Sequence, residues 1–137
     1  MTYTTTTAGE KDLVFNTPLA KGYELTYNYE GGGGSQILGN LLIDSFSAPL
    51  QYYYWGYDSA WKGRKQPNNA SFTSQESQPV AGDTIRIIST VNGAIKLYCN
   101  DNLIIEGITV YEKLYFGLYT NQNRLQKISN LKIKKVS

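Results

Sequence analysis

A chain of 137 residues is long enough to bury one sizeable core without covalent staples, and it reads as a single β-sandwich domain over residues 1–137. Thirteen basic and 11 acidic residues leave a net charge of +2, which excludes nucleic acid as the default partner. There is no histidine, so triads with a histidine base, histidine metal sites and histidine acid–base catalysis are excluded together. The 12 tyrosines, with frequent threonine and glycine, fit strands joined by turns better than helices. The lone Cys99 has no intrachain partner and reads as a small core residue. No apolar run reaches the roughly 20 residues of a bilayer span, and the first residues lack the pattern of a signal peptide. The expectation is therefore a soluble protein without membrane insertion, extracellular or on a virion surface and released by a route such as lysis.

In chain order, Tyr3 to Thr7 is β-branched and aromatic, an edge strand entering the sandwich. Asp12 to Asn16 is a short strand closed by Thr17-Pro18. Gly22 to Glu30 alternates most cleanly, with Tyr23, Leu25, Tyr27 and Tyr29 on one face and Glu24, Thr26, Asn28 and Glu30 on the other. Gly31 to Gly34 and Ser35 read as a flexible loop, since glycine carries maximal backbone entropy and no side chain to pack. The same five residues are a common engineered linker unit, and both origins stay open. Gln36 to Asp44 reads as a buried strand with a bulge at Gly39-Asn40, pairing back on the strand from Gly22. Gln51 to Tyr57 is an aromatic strand, Asp58 to Asn69 a long surface excursion without period, and Ser71 to Thr73 a short strand.

The last third is the most readable. Thr84 to Thr90 and Ala94 to Cys99 flank Asn92-Gly93, a strong hairpin signal. Asn100-Asp101-Asn102 then turns into Leu103 to Gly107, giving a three-stranded meander. Leu114 to Thr120 follows, then the polar loop Asn121-Gln122-Asn123, then a strand from Leu125 to Val136. In that strand the apolar phase slips by one residue between Ile128 and Leu131, which a bulge near Ser129-Asn130 absorbs. Its lysines, Lys127, Lys132, Lys134 and Lys135, read as a wet face that also discourages edge-to-edge aggregation.

The succession Gly82-Asp83-Thr84-Ile85-Arg86-Ile87, Asn92-Gly93, Ile95 to Tyr98, Asn100 to Ile104, Leu114 to Tyr119 and Ile128 to Ile133 resembles the concanavalin A-like lectin and glucanase superfamily, including its laminin-G-like members. The match covers about 55 residues. The resemblance implies an all-β jelly-roll sandwich of two antiparallel sheets, whose concave face and loops bind glycans in many members. One departure is Asn102, which stands where a glycine is common, although asparagine also tolerates the left-handed region.

The superfamily's glucanases carry a motif of the type Glu-x-Asp-x-x-Glu on one strand, and no such motif occurs here. Glu10 and Asp12 would lie about 7 Å apart on one strand face, as a solvated pair rather than a glycosidase's carboxylates. Asn100 to Asn102 and Asn121 to Asn123 supply too few carboxylates for calcium and read as turns, so no metal and no cofactor is expected. The aromatic segment Tyr52 to Lys65 is the candidate binding surface, because exposed rings stack on the apolar faces of sugars. The expected contacts are Tyr53, Trp55, Tyr57, Trp61 and Arg64, joined by Asn121, Gln122, Asn123 and Arg124. The function expected is a non-catalytic carbohydrate- or receptor-binding module, with a glycan or cell-surface receptor as partner, on a phage or other virion surface. In the alternative the aromatic segment is a subunit interface, in a homo-oligomer or with other virion or structural subunits. A glycoside hydrolase is the third reading.

Overall fold

The computed structural model describes residues 2–6, 13–33, 37–43, 51–57, 60–65, 70–74, 79–108, 112–118 and 125–136. Its strands are β1 (Thr2–Thr6), β2 (Leu13–Ala20), β3 (Tyr23–Gly33), β4 (Ile37–Ile43), β5 (Gln51–Tyr57), β6 (Trp61–Lys65), β7 (Ala70–Ser74), β8 (Thr84–Ser89), β9 (Ala94–Cys99), β10 (Asn102–Ile108), β11 (Lys113–Leu118) and β12 (Leu125–Lys135). They form two sheets of six antiparallel strands, ordered β1-β12-β3-β8-β9-β10 and β2-β11-β4-β5-β6-β7. Among the described residues there is no helix.

The core lies between the sheets and follows from period-two alternation. Leu25, Tyr27, Tyr29, Ile85, Ile87, Ile95, Leu97, Cys99 and Ile128 come from the first sheet, and Leu19, Leu42, Trp61, Leu114 and Phe116 from the second. Tyr27 meets Phe116 across the gap with ring centroids 5.3 Å apart. Each buried Leu, Ile or Phe contributes about 1.5–3 kcal/mol relative to exposure. The alternation expected for Tyr23 to Glu30 holds, with Tyr27 and Tyr29 buried and Glu30 exposed.

The meander of β8, β9 and β10 forms as expected, with turns that differ in detail. At Thr90 to Gly93 only Gly93 has positive φ, +87°, and its N–H donates to the Thr90 carbonyl. That is a turn ending in a glycine bulge rather than a two-residue loop with both residues left-handed. In the second turn the left-handed residues are Asn100 and Asp101, at φ 48° and 67°, and Asn102 already begins β10. The bulge near Ser129-Asn130 is present: Ser129 pairs with Asn28 and Lys132 with Thr26, and Asn130 takes φ 53°.

Five local expectations are corrected. β2 runs through Thr17 and Pro18, because an edge strand tolerates the N–H that proline lacks. β3 continues through Gly33, whose pairing with Leu125 and that of Gly32 with Gln126 need only backbone groups. β4 pairs with β11 and β5 in the second sheet instead of returning to β3. The excursion from Asp58 contains a fifth-to-sixth strand pairing, since β6 bonds β5 on one side and β7 on the other. Finally, β12 is no edge, being flanked by β1 and β3.

Candidate functional site

β5, β6 and β7 lie side by side at the far end of the second sheet and carry most of the expected contacts. Their register sets five rows: Tyr57–Trp61–Ser74, Gly56–Lys62–Thr73, Trp55–Gly63–Phe72, Tyr54–Arg64–Ser71 and Tyr53–Lys65–Ala70. β4 extends two of them, with Asn40 opposite Trp55 and Leu42 opposite Tyr53. Tyr53, Trp55, Tyr57 and Arg64 therefore do fall on two adjacent strands.

Trp61 is a correction. Its side chain is 0% exposed within the core cluster, so its ring offers no surface to a ligand. Alternation across the row explains this, since Lys62, next along the strand, is exposed and Trp61 takes the opposite face. Leu42, the cross-strand partner of Tyr53, is equally buried. The row between them that opens to solvent is Gly56–Lys62–Thr73, where both Lys62 and Thr73 are exposed. Thr73 escaped the sequence reading because β6 itself was not recognised, and without β6 no register links it to Lys62. The expected contacts Asn121, Gln122, Asn123 and Arg124 lie outside the described residues, as do Glu10 and Asp12.

Carboxylates of the described residues are tied into structural contacts. Glu24, 7% exposed, faces Lys134 at 3.3 Å and Arg86 at 3.8 Å. Asp101 holds Arg86 at 3.4 Å, Glu106 holds Lys96 at 3.3 Å, and Glu112 holds Lys21 at 3.2 Å. Glu30 accepts a hydrogen bond from the Ser129 hydroxyl at 2.7 Å. Asp83 accepts from the Val80 N–H at 2.8 Å and the Asn100 amide at 2.7 Å. Among the described residues no group of three or more Cys, Asp or Glu side chains gathers as a metal site. The buried Cys99 thiol is pushed up to about 11, by burial first and then by the charge and hydrogen bond of Asp83. It stays a thiol at neutral pH and is a poor nucleophile.

No family model matches the chain, and no curated protein matches it in sequence. Solved structures do match its fold. Galectin-Ib of Xenopus laevis superposes with a TM-score of 0.67 at 9% identity, covering 92% of this chain and 100% of that one. The carbohydrate-binding module CBM66 of Bacillus subtilis gives 0.63 at 16% identity, covering 94% and 84%. An alginate lyase of Pseudomonas aeruginosa gives 0.58 at 15% identity, covering 85% of this chain and 65% of the enzyme. With two antiparallel six-stranded sheets packed across a common core and lectin-type neighbours along nearly its whole length, the chain is a concanavalin A-like jelly-roll sandwich.

Proposed function

We propose that this protein is a non-catalytic carbohydrate-binding module whose contact surface is the β5–β6–β7 end of the second sheet. The observation that carries the reading is the full-length likeness to both a galectin and a carbohydrate-binding module. The sequence supports it by concentrating aromatic, basic and hydroxyl residues on those adjacent strands. Exposed Lys62 and Thr73 supply hydrogen-bond donors, and Arg64 and Ser71 stand in the next-but-one row beside Tyr54. On β5 the aromatic residue in register with this surface is Tyr54, in the row of Arg64 and of the same row parity as Lys62 and Thr73, whereas Tyr57 shares a row with buried Trp61 and Tyr53 one with buried Leu42. Among the described residues, the ties on Glu24, Glu30, Asp83, Asp101, Glu106 and Glu112 support binding over hydrolysis, which needs a free acid and a free base across the scissile bond. In its finer form the ligand is a cell-surface receptor glycan recognised by a virion, a reading that rests on composition alone.

A glycan array repeated with Tyr54→Ala, Lys62→Ala and Arg64→Ala tests the site. Binding that falls by about tenfold in at least one of these variants is expected, as for a residue at the centre of a contact. Binding that survives all three at wild-type strength would place the ligand elsewhere.

A further inference from the structure

The outer face of the first sheet carries a line of lysines whose alignment depends on the bulge in β12. Ile128 is buried opposite Tyr29, so its neighbour Lys127 turns to the outer face. Beyond the bulge, Lys132 pairs with Thr26 and Lys134 with Glu24, both outer-face positions of β3. An interval of five residues would put Lys127 and Lys132 on opposite faces of a regular strand. The extra residue at Ser129–Asn130 brings them to the same one. The three lysines then span roughly 20 Å along β12.

Edge protection does not account for them, because β12 is paired on both sides. Nor, for two of the three, does charge pairing. Lys127 and Lys132 are exposed with no carboxylate within ion-pair distance among the described residues, and Lys134, also exposed, is the one of the three that pairs, with Glu24 at 3.3 Å. Two carboxylates of β3 lie on this face: Glu24, buried between Lys134 and Arg86, and Glu30, exposed and accepting from the Ser129 hydroxyl at 2.7 Å. Around the lysines stand Thr26 and Asn28, hydroxyl and amide groups that complement oxyanions. Arg86 lies opposite Thr26 on the far side from Lys132, with its charge met by Asp101 and Glu24, so among the described residues the unpaired positive charge of this face is that of Lys127 and Lys132.

We propose that this face docks a linear acidic polysaccharide, with sulfate or carboxylate groups along the chain meeting Lys127, Lys132 and Lys134 in turn. A single-stranded nucleic acid is disfavoured because base stacking needs an open ring. Tyr98, the aromatic residue beside Arg86, is capped by that guanidinium at 4.6 Å from the ring centroid. The face belongs to the sheet opposite β5–β6, so it stands or fails independently of the site proposed above.

The test is a fluorescence titration of the whole protein with heparin and with alginate, dextran serving as neutral control and oligo(dT) as the nucleic-acid arm. At low salt an acidic polysaccharide binds, dextran does not, and affinity falls steeply as salt is added. Lys132→Gln loses about three- to fivefold in affinity. Lys113→Gln, which removes the same charge from the second sheet, leaves it nearly unchanged. Equal losses from the two variants would reduce the effect to net charge and overturn the proposal. Absence of binding by both polysaccharides, or tighter binding of oligo(dT), would overturn it as well.

Discussion

The Cys99 thiol lies 3.8 Å from Asp83 Oδ2, in a knot where Asp83 also accepts from the Val80 N–H and the Asn100 amide. Asn100 in turn accepts from the Thr84 N–H at 2.9 Å, so one carboxylate joins the loop before β8 to the turn after β9. Removing it with Asp83→Ala is expected to cost about 1–3 kcal/mol in urea unfolding. The thiol adds a pH dependence with a definite sign. Because its folded-state value is raised from 9.0 to about 11, the neutral thiol stabilises the fold fully below pH 9, and that contribution is lost as pH rises through 11. Unfolding free energy measured from pH 8 to 11 should therefore decline. Cys99→Ala should flatten the lower part of the decline, while the part above pH 10 remains because burial also raises Tyr29. Trp61 supplies the second contrast at this scale. Buried in the core, it should cost about 3–5 kcal/mol as Trp61→Ala, read by thermal or urea denaturation. A variant that loses glycan binding but keeps full stability would show that this ring faces the ligand after all.

At the scale of single elements, what could be read depended on whether the signal was local. The bulge in β12 was legible because Ile128 and Leu131 cannot share a face without one extra residue. The meander was legible because Asn92-Gly93 and Asn100-Asp101 carry turn chemistry in their own side chains and backbones. β6 was not, since Lys62-Gly63-Arg64-Lys65 has no apolar alternation and owes its extension to β5 and β7 on either side. The glycines of β3 hid for the same reason: the bonds from Gly32 and Gly33 to β12 leave no trace in side-chain pattern. Asn130 offers the test at this scale. Its φ of 53° suits asparagine or glycine and strains a β-branched residue. Asn130→Val is expected to destabilise by about 1–2 kcal/mol, and Asn130→Gly to remain within about 0.5 kcal/mol of wild type. Chemical denaturation of the pair checks the difference.

For the whole molecule, the order in which strands alternate between the two sheets determines where the candidate site falls. β4 crosses from the neighbourhood of β3 into the second sheet, and that crossing carries β5, β6 and β7 away from the charged face of β12, β3 and β8. The all-β sandwich was readable from the last third of the chain, but the partner of β4 was not, because a strand's own pattern fixes its buried face and not its neighbour. The aromatic density of β5 pointed to these strands, but Tyr57 and Tyr53 share rows with the buried Trp61 and Leu42. Which residues reach solvent was not readable, since that depends on the row parity linking Trp61, Lys62 and Thr73. The most direct measurement of the central claim is an amide chemical-shift map of the isotopically labelled protein, titrated with a neutral oligosaccharide selected on the glycan array. The account predicts that the largest shifts fall on β5, β6 and β7, Lys62 and Thr73 among them, with the amides of β8 and β9 unmoved. Shifts confined to the first sheet, or no saturable shifts with any array-positive glycan, would contradict it.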